Sequence, residues 1–251
     1  MKIAIYDSAD DAATAAAKAI AVTAAQRPDL VLGVATGSSP QPLYRALGHL
    51  VQAGQLDLRS ASAFALDEYV GLDYQHPESY HSIVQRDVTA PLNMDAARVR
   101  VPEGLALDLC RAATAYEAEI ALQGGIDLQI LGIGGNGHIG FNEPGSPVDS
   151  RTRVVDLTGE TRSANSRFFP SIDHVPTQAM TQGLATIMAA RSIVLVANGI
   201  DKADAVRRAI EEPADLSHPA SLLQRHPRVT FYLDAAAASE LSTTLAAMTA
   251  P

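Results

Sequence analysis

The chain has 251 residues, of which 47% are hydrophobic and 19% are charged. That composition supports a sizeable core and excludes the disordered and fibrous classes of protein. The 19 Lys and Arg residues against 28 Asp and Glu residues give a net charge of -9. This charge repels polyphosphate backbones and anionic lipid surfaces, so we expect no nucleic-acid partner and no membrane partner.

The N-terminal sequence and the cysteine content indicate a cytoplasmic protein. The apolar stretch before Asp7 is too short for a secretory signal, and no window approaches the roughly 18 apolar residues of a spanning helix. Cys110 is the single cysteine, so an intrachain disulfide is excluded and no oxidising compartment is required.

Eight short apolar runs predict β-strands. In chain order they cover residues 2–6, 30–34, 61–66, 98–101, 128–131, 154–157, 193–197 and 229–233. Several runs are continuous rather than alternating, which is typical of strands covered on both faces. Segments of helix length separate most of them.

The first of these segments carries a clear helix start. Ser8, Asp10 and Asp11 resemble a capping box with carboxylates beside the positive helix end, and an Ala-rich run continues to about Arg27 before Pro28. Further helices are predicted over residues 40–53, 79–88, 108–122, 180–190, 202–210 and 235–248.

This order of elements predicts an α/β fold, with a mostly parallel, doubly wound (Rossmann-like) sheet flanked by helices. No repeat, low-complexity tract or Gly/Ser linker divides the sequence, so we expect a single domain over residues 1–251. A mobile lid is expected around residues 151–176. Ligands of open α/β sheets bind where strands end, so the loops after the strands are the first candidates for a site.

The loop after the second strand, residues 35–40, allows two interpretations. A glycine and hydroxyls leading into a helix start present free N–H groups to a phosphate or carboxylate. An ordinary turn with Ser39 as cap and Pro40 in the first helical turn explains the loop equally simply, and is favoured on this loop alone. The loop lacks the lysine of a nucleotide P-loop, so ATP use is not supported.

The loop at residues 132–137 matches the dinucleotide pattern G-x-G-x-x-G. The sequence that follows does not favour a helix start, because Pro144 and two further glycines come next, so NAD binding is not expected. The loop instead joins an amide, an imidazole and a carboxylate in Asn136, His138 and Glu143. A general base near neutral pH needs an imidazole whose tautomer is fixed by a partner. Hydrogen bonding of these side chains within a tight turn is an equally weighted alternative.

Acidic and basic groups near other strand ends complete the candidates. Asp67 and Glu68 follow the third strand and could remove a proton from carbon, although a helix cap or surface ion pair is favoured for them in isolation. Four cations in the second half of the chain could bind an anion, although solvation at the surface is favoured for each of them in isolation: Arg151, Arg153, Arg167 and Lys202. The histidines show no ligand spacing, so we predict no metal site.

Taken together, these stretches resemble the glucosamine-6-phosphate deaminase family, among the glucosamine/galactosamine-6-phosphate isomerases. The matching motifs follow the family order from about residue 30 to residue 234. They are Thr36-Gly37-Ser38-Ser39-Pro40, Leu66-Asp67-Glu68-Tyr69-Val70-Gly71-Leu72, His76-Pro77-Glu78-Ser79-Tyr80, Gly137-His138-Ile139-Gly140-Phe141-Asn142-Glu143-Pro144, Ser150-Arg151-Thr152-Arg153 and Ala164-Asn165-Ser166-Arg167-Phe168-Phe169.

The resemblance implies an enzyme of N-acetylglucosamine catabolism that converts D-glucosamine 6-phosphate and water to D-fructose 6-phosphate and ammonia without a cofactor. By motif, His138 would open the pyranose ring, and Asp67 would move the proton from carbon 2 to carbon 1. Glu143 and Asn136 would orient His138. The phosphate would be bound by Thr36, Gly37, Ser38, Ser39, Arg167 and Lys202.

Three departures from the family pattern qualify these expectations. Asn136 stands where many members have aspartate, and we expect its amide to accept a hydrogen bond from the imidazole without adding charge. Ser38 replaces a common glycine of the phosphate loop. Val155 replaces a lysine of the hexameric members that N-acetylglucosamine 6-phosphate activates, and the chain ends at Pro251 without their longer C-terminal segment. We therefore expect weak or absent allosteric activation in a monomer or small homo-oligomer.

Two other functions share features with this sequence. A 6-phosphogluconolactonase shares the fold and a Gly-His loop, but usually continues the histidine with Thr-Ala-Ser-Leu-Phe-Pro instead of residues 139–144 of this chain. A sugar-phosphate-sensing regulator would carry a DNA-binding segment, for which the sequence has neither a basic patch nor spare length. The local sequence favours the deaminase.

Overall fold

The structure is a computed structural model that describes residues 1–242. Ten strands lie in that range. They are β1 (Lys2–Tyr6), β2 (Val31–Val34), β3 (Ser62–Ala65), β4 (Asp67–Tyr69), β5 (Val99–Arg100), β6 (Leu128–Leu131), β7 (Arg153–Asp156), β8 (Gln178–Thr181), β9 (Ser192–Ala197) and β10 (Val229–Asp234). The eight predicted strands are therefore confirmed to within two residues at each end, and β4 and β8 are additional.

Seven α-helices lie in the same range. They are α1 (Ala9–Gln26), α2 (Gln41–Gln52), α3 (Tyr80–Val84), α4 (Leu109–Leu122), α5 (Gly159–Asn165), α6 (Leu184–Met188) and α7 (Ala203–Glu211). The predicted start of α1 is confirmed, because the Ser8 hydroxyl accepts a hydrogen bond from the Asp11 N–H at 3.1 Å. None of the helices described is long and apolar enough to cross a membrane.

Seven strands form one parallel sheet in the order β1-β10-β9-β6-β2-β3-β5. From β2 the chain builds outward through β3 to β5, whereas from β6 it builds in the opposite direction through β9 to β10. The strand order therefore reverses between β6 and β2, at the position where such sheets bind ligands. The predicted mostly parallel α/β sheet is confirmed.

Both faces of this sheet are covered by apolar side chains. Successive residues of a strand point to opposite faces. Ile130 accordingly joins a cluster with Leu43 and Leu47 of α2, and Leu131 joins a second cluster with Ile120 of α4. This arrangement explains why the strands are continuous apolar runs.

Strands β4, β8 and β7 form a separate antiparallel sheet in that order. The predicted helix over residues 180–190 is wrong at its start, because Met180 and Thr181 are paired on both sides within β8. Helix α6 begins only at Leu184, after Gly183, where a Cβ atom would lie 2.1 Å from the Ser150 carbonyl oxygen. Tertiary pairing thus overrides the local helical pattern.

Three further differences concern helices. The predicted helix over 79–88 continues beyond α3 as a π-helical turn, Gln85–Thr89. Helix α5 was not predicted from the sequence. Of the predicted helix over 235–248, residues 235–240 form turns instead, and residues 243–251 lie outside the described part of the chain.

Candidate active site

Four neighbouring strands, β9, β6, β2 and β3, end at one edge of the large sheet. Their loops line a cleft of about 210 Å³. The predicted site residues among the lining are Thr36, Gly37, Ser38, Ser39, Asp67, His138, Arg167 and Lys202. Asn136 and Glu143 are not part of the lining, but both belong to the loop that carries His138 and contact this histidine. The structure therefore brings all ten predicted residues to one region.

Asp67 is a buried carboxyl group at the wall of the cleft. It begins β4, directly after β3, and only 5% of its surface is exposed. Burial, and secondly the neighbouring Glu68 carboxylate, raise the pKa of Asp67 to about 8. A carboxyl group of this kind can take up and return a proton near neutral pH.

Glu68 has a structural environment that differs from that of its neighbour. Its fully buried carboxylate accepts hydrogen bonds from the N–H groups of Tyr69, Tyr80 and His81 at 2.8, 3.0 and 2.9 Å. His81 Nδ1 lies 2.7 Å from the same carboxylate. The helix-cap alternative therefore describes Glu68, which fixes the start of α3 and with it Tyr80 at the cleft wall.

Glycines shape the loop that carries His138. At Gly134 a Cβ atom would lie 2.2 Å from His138 Cε1, so the imidazole packs directly on the backbone of its own loop. Gly137 has a positive φ of 83°, and a Cβ there would lie 2.2 Å from His218 Cε1. Neither position accommodates a side chain without displacing a histidine ring.

Asn136 contacts its neighbours differently from the expectation. Its side-chain oxygen, Oδ1, accepts a hydrogen bond from the backbone N–H of His138 at 3.2 Å, rather than from the imidazole. Its amide group donates to Glu143 Oε2 at 2.7 Å. The imidazole instead faces Glu143, with Nδ1 of His138 3.6 Å from Oε2. Asn136 thus orients the histidine through the backbone and through Glu143.

Glu143 is the charged centre of this group. Burial opposes its ionisation, but His138, the Thr161 hydroxyl and the Asn136 amide outweigh that effect and lower the pKa of Glu143 to about 2. Its Oε1 accepts hydrogen bonds from the hydroxyl groups of Thr161 and, at 3.3 Å, Thr158. Glu143 is therefore an anion at neutral pH, and its Oε2 is directed at the His138 imidazole.

A second group of cleft residues is suited to an anion. Gly37 has a positive φ of 97°, and the N–H groups of residues 36–39 make no hydrogen bond within residues 1–242. Pro40 precedes α2 without a side-chain cap, so the expected capping by Ser39 is wrong and its hydroxyl is not used there. Arg167 and Lys202 line the same cleft. Burial, and then Arg167, lower the pKa of Lys202.

Several cleft residues were not predicted from the sequence. Helix α5 and the residues after it supply Thr161, Ala164, Asn165 and Phe168 at a spacing of one helical face. The available signal was Thr158, whose hydroxyl caps α5 by accepting a hydrogen bond from the Thr161 N–H at 3.1 Å. Within residues 1–242 no group of three or more His, Cys, Asp or Glu side chains is arranged to hold a metal ion.

Comparison with known proteins places this geometry in a family. Residues 6–231 match the model of the glucosamine-6-phosphate isomerases/6-phosphogluconolactonase family. The chain belongs to this family. A glucosamine-6-phosphate deaminase of Rhodopirellula baltica is 54% identical over 216 residues, which are 86% of each chain.

Solved structures of family members agree with the fold. A monomeric glucosamine-6-phosphate deaminase is 41% identical, with a TM-score of 0.93 over 96% of this chain and 100% of that chain. The 6-phosphogluconolactonase of Trypanosoma brucei is 20% identical, with a TM-score of 0.76 over 96% of this chain and 98% of that chain. The second likeness shows a shared fold alone.

Proposed function

We propose that this family member converts D-glucosamine 6-phosphate and water to D-fructose 6-phosphate and ammonia, in the catabolism of amino sugars. The observation that carries the proposal is the shared cleft, in which Asp67 and His138 lie together with the group of residues suited to an anion. The reaction needs a base for a carbon-bound proton, a second proton-transfer group for the ring oxygen and an anchor for the phosphate.

In the proposed reaction, His138 moves a proton from the anomeric hydroxyl to the ring oxygen, which opens the ring. Asp67 then removes the proton from carbon 2 and returns a proton to carbon 1, while a second proton passes from the amine nitrogen to the oxygen on carbon 1, leaving an imine at carbon 2. Water adds to this imine, ammonia leaves, and the keto group remains. Asn136 and Glu143 keep His138 oriented, as their contacts indicate.

Binding of the phosphate supplies the geometry for these steps. The free N–H groups and hydroxyls of residues 36–39, together with Arg167 and Lys202, are assigned to the phosphate. Charge-assisted hydrogen bonds are worth about 1.5–3 kcal/mol each, so a few of them fix the distant carbons 1 and 2 beside Asp67. No cofactor takes part in the proposed chemistry.

The lid, the assembly and the location belong to the same proposal. Residues 151–176 move as a lid over the cleft, supported by the position of α5 along one wall and by exposed Phe168 and Ile172. The chain acts on its sugar phosphate as a monomer or small homo-oligomer in the cytoplasm, without a nucleic-acid or membrane partner.

The lactonase is the competing function of the same family. Hydrolysis of a lactone requires no base for a carbon-bound proton, whereas Asp67 lies buried at the cleft wall with its pKa raised to about 8. The relatives that are named glucosamine-6-phosphate deaminase are about 50% identical to this chain, whereas the lactonase of known structure is 20% identical. This difference also favours the deaminase.

The deciding experiment is to supply glucosamine 6-phosphate and to measure ammonia and fructose 6-phosphate for the wild type and for Asp67→Asn. We expect product from the wild type and a rate lower by about 10²–10⁴-fold in the variant, the usual contribution of a positioned base. Hydrolysis of 6-phosphogluconolactone serves as the control reaction. Equal deaminase rates in both proteins would contradict the role of Asp67 as the base. Lactone hydrolysis without deamination would contradict the proposed deaminase function and favour the lactonase.

A further inference from the structure

The carboxylate of Glu143 is held on both of its oxygens by different parts of the chain. Oε2 faces the His138 imidazole and the Asn136 amide, which belong to the same loop as Glu143. Oε1 accepts hydrogen bonds from Thr161 and Thr158, which belong to α5 and its cap. A carboxylate held at one oxygen can still rotate, so the α5 hydroxyls act together with the Asn136 amide to fix the rotation in which Oε2 faces the imidazole.

Helix α5 also reaches the other two parts of the cleft. The Asn165 amide donates a hydrogen bond to the Tyr69 hydroxyl at 2.9 Å, and Tyr69 lies in β4 with Asp67. Arg167 follows the helix within two residues and lines the cleft together with Lys202. One short segment therefore connects the proposed phosphate contact to both proton-transfer groups.

We propose that Thr161 is a positioning residue that couples capture of the phosphate by Arg167 to the alignment of His138 by Glu143. When the phosphate fixes Arg167, it also fixes α5 and the Thr161 hydroxyl. That hydroxyl holds the Glu143 carboxylate in the rotation that presents Oε2 to Nδ1 of His138. These two atoms lie 3.6 Å apart, and Nδ1 is buried without a hydrogen-bond partner in residues 1–242. When phosphate binds, a small movement of Oε2 towards Nδ1 would complete a hydrogen bond between them.

The inference rests on the proposed function and predicts a specific mutational pattern. Thr161→Val preserves the shape of this buried side chain but removes the hydroxyl. We expect kcat to fall about tenfold, the loss that corresponds to one hydrogen bond to a charged group, while KM changes much less. Thr161→Ser restores the hydroxyl and is expected to restore kcat. Equal losses in the two variants would overturn the proposal.

A matched control exists outside the cleft. The Thr186 hydroxyl donates to the Glu117 carboxylate at 2.6 Å, and Thr186 is as buried as Thr161. Thr186→Val therefore removes the same kind of bond, and we expect kcat to stay at the wild-type value. A similar fall of kcat in this control would assign the Thr161 effect to general destabilisation.

The coupling itself is tested by a double-mutant cycle with Arg167→Ala. If phosphate capture acts through Thr161, then Thr161→Val reduces kcat/KM much less in the Arg167→Ala background than in the wild type. Losses that multiply independently would contradict the coupling.

A spectroscopic measurement separates this inference from the proposed function. The ¹⁵N shifts of His138 report which ring nitrogen carries the proton. We expect inorganic phosphate to increase the Nδ1–H tautomer in the wild type and Thr186→Val, but not in Thr161→Val. The same response in all three proteins would refute the coupling. A wild type that shows the response but forms no ammonia would refute the function alone.

Discussion

Two adjacent carboxyl groups, Asp67 and Glu68, have opposite environments. The Glu68 carboxylate accepts hydrogen bonds from three backbone N–H groups and lies beside a histidine nitrogen, so its position is fixed. Burial, and secondly the neighbouring Glu68 carboxylate, disfavour a charge on Asp67. The pair is therefore divided into a carboxylate that is fixed by hydrogen bonds and a carboxyl group that can exchange a proton.

This division gives the pH dependence of the reaction. A base must be ionised to accept a proton, and the pKa of Asp67 is raised to about 8, so its active form increases as the pH rises through that value. We expect kcat/KM to increase about tenfold per pH unit below the pKa of Asp67, from pH 6 through pH 8, and to level off only above that pKa. Initial rates in buffers of constant ionic strength measure the profile. A profile that falls over this interval would contradict the role of Asp67 as the base.

The loop before His138 determines where the imidazole lies. Because a Cβ at Gly134 would overlap the His138 ring, Gly134→Ala displaces the imidazole without changing its chemistry. A displacement of about 1 Å at a reacting group costs roughly 10²-fold, and we expect a loss of kcat of that size. Gly48→Ala in α2 is the control, since its Cβ meets Pro91 at an ordinary 3.7 Å. Equal kcat values for the two variants, with both folded by circular dichroism, would show that the loop tolerates the shift.

The elements that could be predicted are those whose signals are local. The strands of the large sheet are continuous apolar runs, and α1 and α4 begin at side-chain caps in Ser8 and Asp108. Strand β4 consists of Asp67, Glu68 and Tyr69, and becomes a strand only by pairing with β8. The pairing of β8 on both sides likewise depends on distant segments, so no local pattern indicated either strand.

The candidate site was predictable as a set of residues but not as a set of contacts. Topology explains the first part, because the carboxyl ends of parallel neighbours meet at one edge. The contacts of Asn136 depend on the turn that Gly137 permits with its positive φ, and on Glu143 returning beside it. The contribution of α5 depends on Thr158 and Thr161 reaching back across the chain to Glu143.

At the scale of the whole molecule, the residue at position 155 predicts that the enzyme lacks allosteric activation. Val155 lies in β7 and pairs with Ala179, and it provides no cation for a second sugar phosphate. We expect hyperbolic kinetics that N-acetylglucosamine 6-phosphate leaves unchanged. Rates measured across a range of substrate concentrations, with and without the acetylated sugar, test this. A sigmoidal curve that the acetylated sugar makes hyperbolic would contradict it.

The assembly is tested separately by light scattering during size-exclusion chromatography. A monomer or small homo-oligomer is expected, and the 41% identical relative of known structure is described as monomeric. A hexamer would contradict this part of the proposal.

At Gly140 the loop that carries His138 approaches the side chains of Asp67 and Thr181 closely. A Cβ at this glycine would lie 3.5 Å from Asp67 Oδ2 and 3.0 Å from Thr181 Oγ1, so the backbone after His138 runs against the wall that holds Asp67. In the proposed reaction, a sugar bound by its phosphate group therefore reaches both His138 and Asp67 without reorienting or dissociating. The reactive open-chain amino aldehyde is then consumed where it forms, and a trapping reagent added to the solution during turnover captures none of it.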